Sequence, residues 1–369
     1  MTKDTKKEFY DINKITNTII CGDTIEELKK IEDETIDLIF ADPPYFMQTE
    51  GELHRTDGSK FNGVEDEWDK FSDYNEYDKF CFEWLKECKR VLKKDGSIWV
   101  IGSFQNIYRL GYIMQNLDYW ILNDIVWSKP NAAPNFAGTR YQNSHETLIW
   151  CCKSKKSKYT FNYKTMKHLN DNKQDKSVWD IGICIGNERL KGEDGKKIHS
   201  TQKPEKLLYK VILSTSKPGD IVLDPFFGTG TTGAIAKLLG RKWIGIERER
   251  EYNKAAQSRI DAVETLMDEI SNLSLEVKPP KVPMKKLVDM KYLKTGQQLY
   301  NKKGEKICTV CEDGHVTDGK EVLSIHKMSA KYLGLTNNNG WDYFYINDNG
   351  IDTLDSLRYE YISKEEKND

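Results

Sequence analysis

The chain has 369 residues, of which 38% are hydrophobic and 31% charged, and its formal net charge is −2 at pH 7. This composition is typical of a soluble globular protein with one large domain or two smaller ones. It excludes a strongly basic protein, so any contact with nucleic acid must come from local patches. No apolar run is long enough to cross a bilayer, and the N-terminus lacks the apolar core of a signal peptide, so we expect no membrane partner.

The eight cysteines show no spacing typical of a disulfide framework, and we therefore expect reduced thiols and a cytoplasmic location. Cys308 and Cys311 form one isolated Cys-x-x-Cys pair, whereas a structural zinc site usually takes four ligands. Residues 307–310 alternate like a strand, which gives these cysteines a packing role. We predict no metal site.

Strand-like and helix-like patterns alternate over the first 270 residues or so. Strands are predicted within residues 16–23, 36–41, 97–103, 120–127, 219–225 and 241–247, and helices within residues 24–31, 77–92, 204–216 and 231–240. This alternation predicts an α/β fold with a doubly wound, mostly parallel sheet and helices on both faces. In such sheets, ligands bind at the carboxyl ends of the strands.

The composition changes at residues 275–286, which contain three prolines and four lysines and are predicted to be a linker. This linker would separate a first domain (residues 1–274) from a small mixed C-terminal domain (residues 287–369). Residues 51–71 and 131–143 are polar, contain glycine and show no periodic spacing of apolar residues. Long loops of this kind in compact domains are usually functional or disordered.

Residues 221–247 follow the pattern strand, glycine turn, helix, strand, acid. Gly228 and Gly230 permit a tight turn that a ligand can approach closely, and the next helix presents free N–H groups. Glu247 stands where nucleoside-binding folds place an acid for ribose hydroxyls. No Lys-Ser or Lys-Thr follows the glycines, so a nucleoside without phosphates is favoured. The alternative is an ordinary tight turn with a surface acid.

The predicted strand at residues 36–41 is followed by Asp42, Pro43, Pro44 and Tyr45. The two prolines stiffen the turn and remove two N–H donors. Asp42 adds a carboxylate acceptor, and Tyr45 offers a flat ring for stacking. Acceptors beside a ring suit a planar group that donates hydrogen bonds, such as the amino group of a base. The alternative is an ordinary polar strand exit.

Together these motifs resemble the amino-group DNA methyltransferases, which use S-adenosylmethionine (SAM), and their order resembles the β subgroup of that family. The resemblance implies the SAM-dependent methyltransferase fold and makes Asp42, Pro43, Pro44 and Tyr45 the catalytic motif. Phe226 or Phe227 matches the family's Phe-x-Gly-x-Gly element; we favour Phe227. The stretch HSTQKPEKLL (residues 199–208) resembles a further cofactor element. The SAM site implied by the resemblance comprises Asp23, Asp42, Thr201, Gln202, Lys203, Phe227, Gly228, Thr229, Gly230, Thr231 and Glu247.

Within that site, Phe227 is expected to pack on or near the SAM adenine and Glu247 to bind the ribose. Thr201, Gln202 and Lys203 are expected to hold the methionine end. A helix N-cap is at least as good a prediction for Asp23.

Nearly the whole chain, including its C-terminal part, resembles the HinfI-type adenine methyltransferases. That resemblance implies double-stranded DNA as substrate, methylation of the adenine N6 amino group and the sequence GANTC. It also suggests a homodimer and a companion restriction endonuclease, neither of which the residues themselves indicate.

We expect the target base to leave the stack, because an amino group in duplex pairing cannot meet a cofactor in a cleft. Tyr45 would stack on the extruded adenine, while Asp42 and the Pro43 carbonyl would accept the amino protons. This placement turns the nitrogen lone pair toward the sulfonium methyl group.

A loop at residues 46–71, after the catalytic motif, is predicted to recognise DNA; the alternative is a surface loop. Trp341 and Tyr343 could bind bases, although they alternate like one face of a strand and core packing is equally expected. The predicted DNA-binding residues are Gln48, His54, Arg55, Lys60, Asn62, Trp341 and Tyr343.

Rival interpretations remain. A cytosine-N4 enzyme shares the fold and motifs but more often has Ser at the position of Asp42. RNA or protein-amide methyltransferases usually begin the tetrad with Asn and place the cofactor motif first. From a different class, the chain could be a DNA-binding regulator with an inactive methyltransferase fold, although both intact motifs disfavour this.

Overall fold

The computed structural model of the chain consists of two compact units, residues 1–276 and 277–369. It describes residues 9–47, 53–54, 60–61, 69–135, 138–171, 173–192, 195, 197–199, 201–266, 281–348, 350 and 352–365.

Unit 1 is built on an eight-stranded sheet, with a separate two-stranded ribbon of β3 (Leu53–His54) and β4 (Lys60–Phe61). The large sheet contains β1 (Thr18–Cys21), β2 (Ile36–Ala41), β5 (Leu92–Gly102), β6 (Trp120–Ser128), β7 (His145–Cys152), β8 (Val178–Asp180), β9 (Ile221–Asp224) and β10 (Lys242–Glu247). The strand order is β1-β10-β9-β2-β5-β7-β6-β8. All neighbours are parallel except that β7 runs antiparallel to both β5 and β6.

Helices cover both faces of this sheet, and alternate residues of each strand face different cores. The helices of unit 1 are α1 (Ile12–Ile15), α2 (Thr24–Leu28), α3 (Tyr74–Val91), α4 (Ile107–Asn116), α5 (Tyr163–His168), α6 (Glu205–Thr215), α7 (Thr231–Leu238) and α8 (Arg250–Asp261). In β2, Ile39 and Ala41 pack in one core with α3 and α4, while Leu38 and Phe40 pack in the other with α6 and α7. This two-sided burial explains the continuous apolar run at residues 38–41 of β2.

The structure confirms the predicted fold class, with a strand or helix at each position where the sequence indicated one. The prediction did not include the strands β7 and β8, the ribbon of β3 and β4, or the helices α1, α4, α5 and α8. Residues 148–152 of β7 are a continuous apolar run, and its antiparallel direction depends on pairing with β5 and β6, which are distant in sequence.

In its described residues, unit 2 has a four-stranded antiparallel sheet and four helices around its own apolar core. Its elements are α9 (Met284–Asp289), β11 (Gln298–Tyr300), β12 (Lys306–Val310), β13 (Val316–Thr317), β14 (Val322–Leu323), α10 (Ile325–Leu333), α11 (Gly340–Tyr343) and α12 (Ser356–Glu365). Val282 and Met284 are buried in this core, so the end of the predicted linker at 275–286 belongs to unit 2. The strand-like alternation around Trp341 was also misleading, because residues 340–343 form α11.

No helix in the described parts of the chain is long and apolar enough to cross a membrane. Cys308 is buried on β12, and the described residues contain no cluster of three His, Cys, Asp or Glu side chains that could hold a metal ion.

Candidate active site

The turn after β2 is held rigidly by side chains from elsewhere in unit 1. The Tyr77 hydroxyl on α3 donates a 2.8 Å hydrogen bond to the Pro44 carbonyl, and the Asn106 amide donates one of 2.9 Å to the Tyr77 oxygen. One carbonyl of the proline turn is therefore occupied. No described residue donates to the Pro43 carbonyl, which keeps that acceptor available.

The residues that follow the turn are held by Asp69. Its two carboxylate oxygens accept 2.7 Å hydrogen bonds from the backbone N–H groups of Phe46 and Met47. Phe46 has a left-handed backbone (φ +52°), which this bidentate contact helps to maintain. The chain therefore leaves the catalytic motif in a defined direction.

Asp42 forms a buried ion pair with Lys203, whose Nζ lies 2.6 Å from Asp42 Oδ2. Burial raises the pKa of Asp42 and the ammonium of Lys203 opposes that rise. Burial by itself would lower the pKa of Lys203, but Asp42 and Glu146 outweigh it and raise that pKa. Lys203 is therefore a cation and holds one oxygen of the carboxylate.

Tyr45 is also fixed at both its ring and its hydroxyl. The ring centroid lies 5.2 Å from Lys203 Nζ, and the hydroxyl donates a 3.1 Å hydrogen bond to Glu146 Oε2. Glu146 in turn forms an ion pair with Lys129. Burial opposes ionisation of Glu146, yet Lys203 and Lys129 lower its pKa below the ordinary value.

The turn between β9 and α7 has the conformation that its glycines predict. Gly228 (φ +51°) and Gly230 (φ +73°) are both left-handed, and a Cβ on Gly230 would lie 2.7 Å from the Ala256 side chain. The Gly228 N–H donates a 2.8 Å hydrogen bond to Glu247 Oε2, while Oε1 accepts from the Glu249 N–H at 2.7 Å. The acid after β10 thus closes the glycine turn.

Asp224 lies at the end of β9, beneath the same turn. It accepts hydrogen bonds from the Thr232 hydroxyl (2.6 Å) and the Phe226 N–H (2.9 Å). Burial raises the pKa of Asp224 to about 7, although both hydrogen bonds oppose the rise. Burial also raises the pKa of Glu247, against the backbone N–H groups that it accepts.

The segment before α6 brings His199, Thr201, Gln202 and Lys203 to the site. The Thr201 N–H donates a 3.1 Å hydrogen bond to His199 Nδ1. Gln202 is buried and its amide bonds the backbone of Glu188 (2.8 Å) and that of Leu190 (3.0 Å). Gln202 therefore holds its segment in place as well as bordering the cavity.

These loops surround one cavity of about 310 Å³ at the carboxyl end of the parallel strands. The cavity is lined by all the residues predicted for the catalytic motif and for SAM binding except Gly230. Asp23 lines it too, and its side chain caps α2 by accepting from the N–H groups of Ile25 and Glu26. The structure therefore gathers residues from four distant stretches of sequence.

Phe227 borders the cavity, but its ring is largely covered by other side chains. Its ring is 3% exposed and stacks on Trp243, with 5.4 Å between centroids, and it packs against the Cα atoms of Gly233 and Gly245. Phe226 is only partly buried, contacts Trp84 and also lines the cavity. Phe226 is thus the more accessible phenylalanine for a ligand.

The sequence interpretation did not identify Glu146, Lys129, Asp224, His199 or Tyr77 as site residues. Asp224 lies two residues before Phe226, and His199 is the first residue of the HSTQKPEKLL segment, so both lie in or beside stretches that the sequence analysis had singled out. Glu146 and Lys129 carried none, because only the sheet places them beside Tyr45.

The structure describes four of the seven predicted DNA-binding residues, two of them only by their backbones. Gln48, Arg55 and Asn62 lie outside the described residues. His54 and Lys60 are described only by their backbones, which pair in the small ribbon. Trp341 is buried in the core of unit 2, with the Arg358 guanidinium 4.2 Å from its ring centroid, and Tyr343 is partly buried against that core. Trp341 is therefore a packing residue.

Comparison with known proteins agrees with this geometry. The family described as DNA methylase matches residues 36–258, and the family described as Restriction Enzyme Adenine Methylase Associated matches residues 265–367. Type II methyltransferase M.HinfI of Haemophilus influenzae is 65% identical over 96% of this chain and 99% of its own. Type II methyltransferase M2.DpnII of Streptococcus pneumoniae is 42% identical over 69% of this chain and 93% of its own.

Solved structures show the same fold. The complex of M1.HpyAVI with SAM superimposes with a TM-score of 0.50 at 26% identity, covering 66% of this chain and 98% of that one. PvuII DNA methyltransferase, described as cytosine-N4-specific, gives a TM-score of 0.53 at 23% identity, covering 69% and 90%, respectively.

The fold and the site define a SAM-dependent methyltransferase that acts on DNA. The chain belongs to the DNA methylase family whose members modify the exocyclic amino groups of bases.

The environment of His199 predicts a dependence of stability on pH. Burial lowers its pKa from 6.5 to about 4, with further lowering by Lys203, Arg189 and Lys197. Below pH 6.5 the unfolded chain binds a proton that the folded chain does not, so stability falls as the pH falls toward 4. His199→Asn keeps an acceptor for the Thr201 N–H but does not titrate. Between pH 7.5 and 5.5 the wild type should lose about 1 kcal/mol more free energy of unfolding than the variant.

Urea unfolding at the two pH values measures this difference, and all other titrating groups cancel in the comparison. Parallel losses in the wild type and in His199→Asn would contradict the assignment.

Proposed function

We propose that this enzyme transfers the methyl group of SAM to the N6 amino group of an extruded adenine within GANTC sequences of double-stranded DNA. The observation that carries the proposal is the acceptor cluster beside the cofactor cavity: Asp42, the open Pro43 carbonyl and the Tyr45 ring. Similarity to M.HinfI over nearly the full length of both chains, and the adenine-methylase-associated match in unit 2, support adenine as the target. The sequence GANTC rests on the resemblance to HinfI-type enzymes.

The residues around the cavity fit SAM. Asp42, Asp224 and Glu247 place three carboxyl groups around it, which suits a cationic sulfonium and a ribose diol. Each oxygen of Glu247 accepts one backbone N–H and keeps a lone pair for a ribose hydroxyl. Gly228 borders the cavity without a side chain, and Phe226 presents an apolar ring to it. When bound, SAM supplies an activated methyl group.

The protein contributes placement and electrostatics to the reaction. Lys203 holds Oδ2 of Asp42, and the Tyr45 hydroxyl also lies close to this carboxylate. We assign Oδ1 as the acceptor of a hydrogen bond from the adenine amino group. The Pro43 carbonyl accepts a hydrogen bond from the second amino N–H, and the hydrogen bond from Tyr77 to the Pro44 carbonyl keeps the turn rigid. Tyr45 stacks on the base. Loss of planarity at the amino nitrogen then exposes its lone pair to the methyl group.

We propose that DNA is recognised by the segment after the catalytic motif and by unit 2. Asp69 fixes the direction in which residues 46–47 enter that segment, which contains Gln48, Arg55 and Asn62. Unit 2 has a complete core of its own, so it can serve as a separate DNA-binding module. We further propose a homodimer and a companion endonuclease, as expected for a relative of Type II methyltransferases.

The target sequence can be tested by mapping modified bases. Genomic DNA from a host that lacks adenine methylation should contain N6-methyladenine at GANTC sites only after the wild-type chain is expressed. Methylation at cytosine N4, or at adenines outside GANTC, would contradict the proposal.

Asp42→Ala should lower kcat for methyl transfer by at least about 10²–10³-fold, because it removes the acceptor and leaves Lys203 unpaired. SAM binding should persist within about tenfold, since Glu247 and the glycine turn remain. Tritium transfer from labelled SAM to DNA and calorimetric titration with SAM measure the two effects. The exposed Asp261→Ala serves as the matched control. Normal methylation by Asp42→Ala would remove Asp42 from its assigned role.

Deletion of residues 277–369 should weaken DNA binding by at least tenfold while SAM binding changes little, because unit 1 alone surrounds the cofactor cavity. Fluorescence anisotropy with a GANTC duplex and SAM titration provide the comparison. Far-ultraviolet circular dichroism controls for folding of the truncated chain. Equal losses of both affinities would show a general folding role for unit 2.

A further inference from the structure

Glu146 is the second residue of β7, the one antiparallel strand between β5 and β6. Because β7 runs opposite to its neighbours, its first residues lie at the same sheet edge as the carboxyl ends of β2 and β9. Lys129 follows directly after the end of β6 and reaches the same edge. The Glu146 carboxylate and the Lys129 ammonium are thereby placed beside the Tyr45 hydroxyl.

The two oxygens of Glu146 have different partners. Oε2 accepts the Tyr45 hydroxyl at 3.1 Å, and Oε1 pairs with Lys129 Nζ. The side chains of Glu146 and Lys129 are only 14% and 13% exposed. Lys129 Nζ also lies 4.8 Å from the Trp127 ring centroid, which fixes the ammonium. A hydrogen bond to an ionised acceptor is about twice as strong as a hydrogen bond between neutral groups.

Four charges therefore balance around Tyr45, in the pairs Asp42–Lys203 and Glu146–Lys129. The ring lies between them, with Lys203 near its face and Glu146 at its hydroxyl. A tyrosine that only packed in a core would need one partner for its hydroxyl, and a neutral carbonyl would suffice. A buried ion pair assembled for that one hydroxyl carries a desolvation cost that packing alone does not explain.

We infer that Glu146 is a positioning residue for methyl transfer: with Lys129 as its counter-ion, it holds the Tyr45 hydroxyl so that the ring is already oriented when the extruded base arrives. This inference rests on the proposed function, in which Tyr45 stacks on the target base. Glu146 is not among the residues that line the cavity. Its effect is on kcat, because misplacement of the stacked base by about 1 Å can cost on the order of 10²-fold in rate.

The test uses two double variants of the full-length chain that differ only at the acceptor. Lys129→Met with Glu146→Gln removes both charges and keeps an oxygen for the Tyr45 hydroxyl. Lys129→Met with Glu146→Leu removes both charges and the acceptor as well. Neither leaves an unpaired buried charge, which would otherwise destabilise the fold.

Each double variant is assayed for tritium transfer to a GANTC duplex, for KM for SAM and for its unfolding temperature. We expect the Leu variant to have a kcat at least tenfold below that of the Gln variant, with KM values for SAM that agree within about twofold. In a Tyr45→Phe background the difference in kcat between the Leu and Gln variants should fall below about threefold, because the hydroxyl is absent. Fluorescence of 2-aminopurine at the target position should also differ between the variants only when Tyr45 is present.

Equal kcat values for the Gln and Leu variants would overturn the inference, and so would a tenfold difference that persists in the Tyr45→Phe background. A parallel loss of SAM affinity and unfolding temperature in the Leu variant alone would assign Glu146 a structural role and overturn it too. In each case the wild type still methylates adenine, so the proposed function survives. Absence of wild-type transfer to GANTC adenine would instead refute the proposed function itself.

Discussion

Lys203 Nζ lies 2.6 Å from Asp42 Oδ2 in a place that is almost closed to water, and this ion pair joins the turn after β2 to the segment before α6. Removing one partner from a buried pair typically costs about 3–5 kcal/mol, because the other charge is left uncompensated. The pair therefore ties the folding of the cofactor segment to the catalytic turn. It also makes the two oxygens of Asp42 inequivalent, with one held by Lys203.

The same site shows how a catalytic turn can be stiffened from several directions. Proline rings limit the backbone of the turn, the Tyr77 hydroxyl occupies the Pro44 carbonyl, and Asp69 holds the two N–H groups beyond Tyr45. These contacts leave the Pro43 carbonyl and one oxygen of Asp42 as acceptors. A site that acts by positioning gains from such rigidity, since the groups need no reorganisation when the substrate arrives.

At the glycine turn between β9 and α7, neighbouring residues both pack against the core and border the cavity. Phe227 lies beneath the turn, stacked on Trp243, and fills the space that side chains at residues 233 and 245 would need. Phe226, the preceding residue in the chain, points to the other core and to the cavity. Adjacent residues thus support the turn from below and border the ligand space above it.

Short local stretches of sequence determined many of the strands and turns of this protein. Continuous apolar runs such as residues 36–41 indicated buried parallel strands, and the glycines at 228 and 230 indicated a tight turn, because each signal depends on a few adjacent residues. Residues 42–45, the segment at residues 199–208 and Glu247, to which we assign roles in catalysis and SAM binding, also stand in short patterns that the sequence alone reveals. Their convergence on one edge followed from the rule that ligands bind at the carboxyl ends of parallel strands.

Tertiary structure alone decided the rest. Glu146 reaches Tyr45, 101 residues away, only because β7 runs antiparallel, and strand direction depends on pairing with distant strands. The choice between Phe226 and Phe227 depended on which ring the Trp243 side chain covers. Burial of Trp341 and the start of α9 at Met284 likewise required the assembled core of unit 2. Side-chain partners, burial and charge pairing are set by contacts between distant residues, and a local pattern does not contain them.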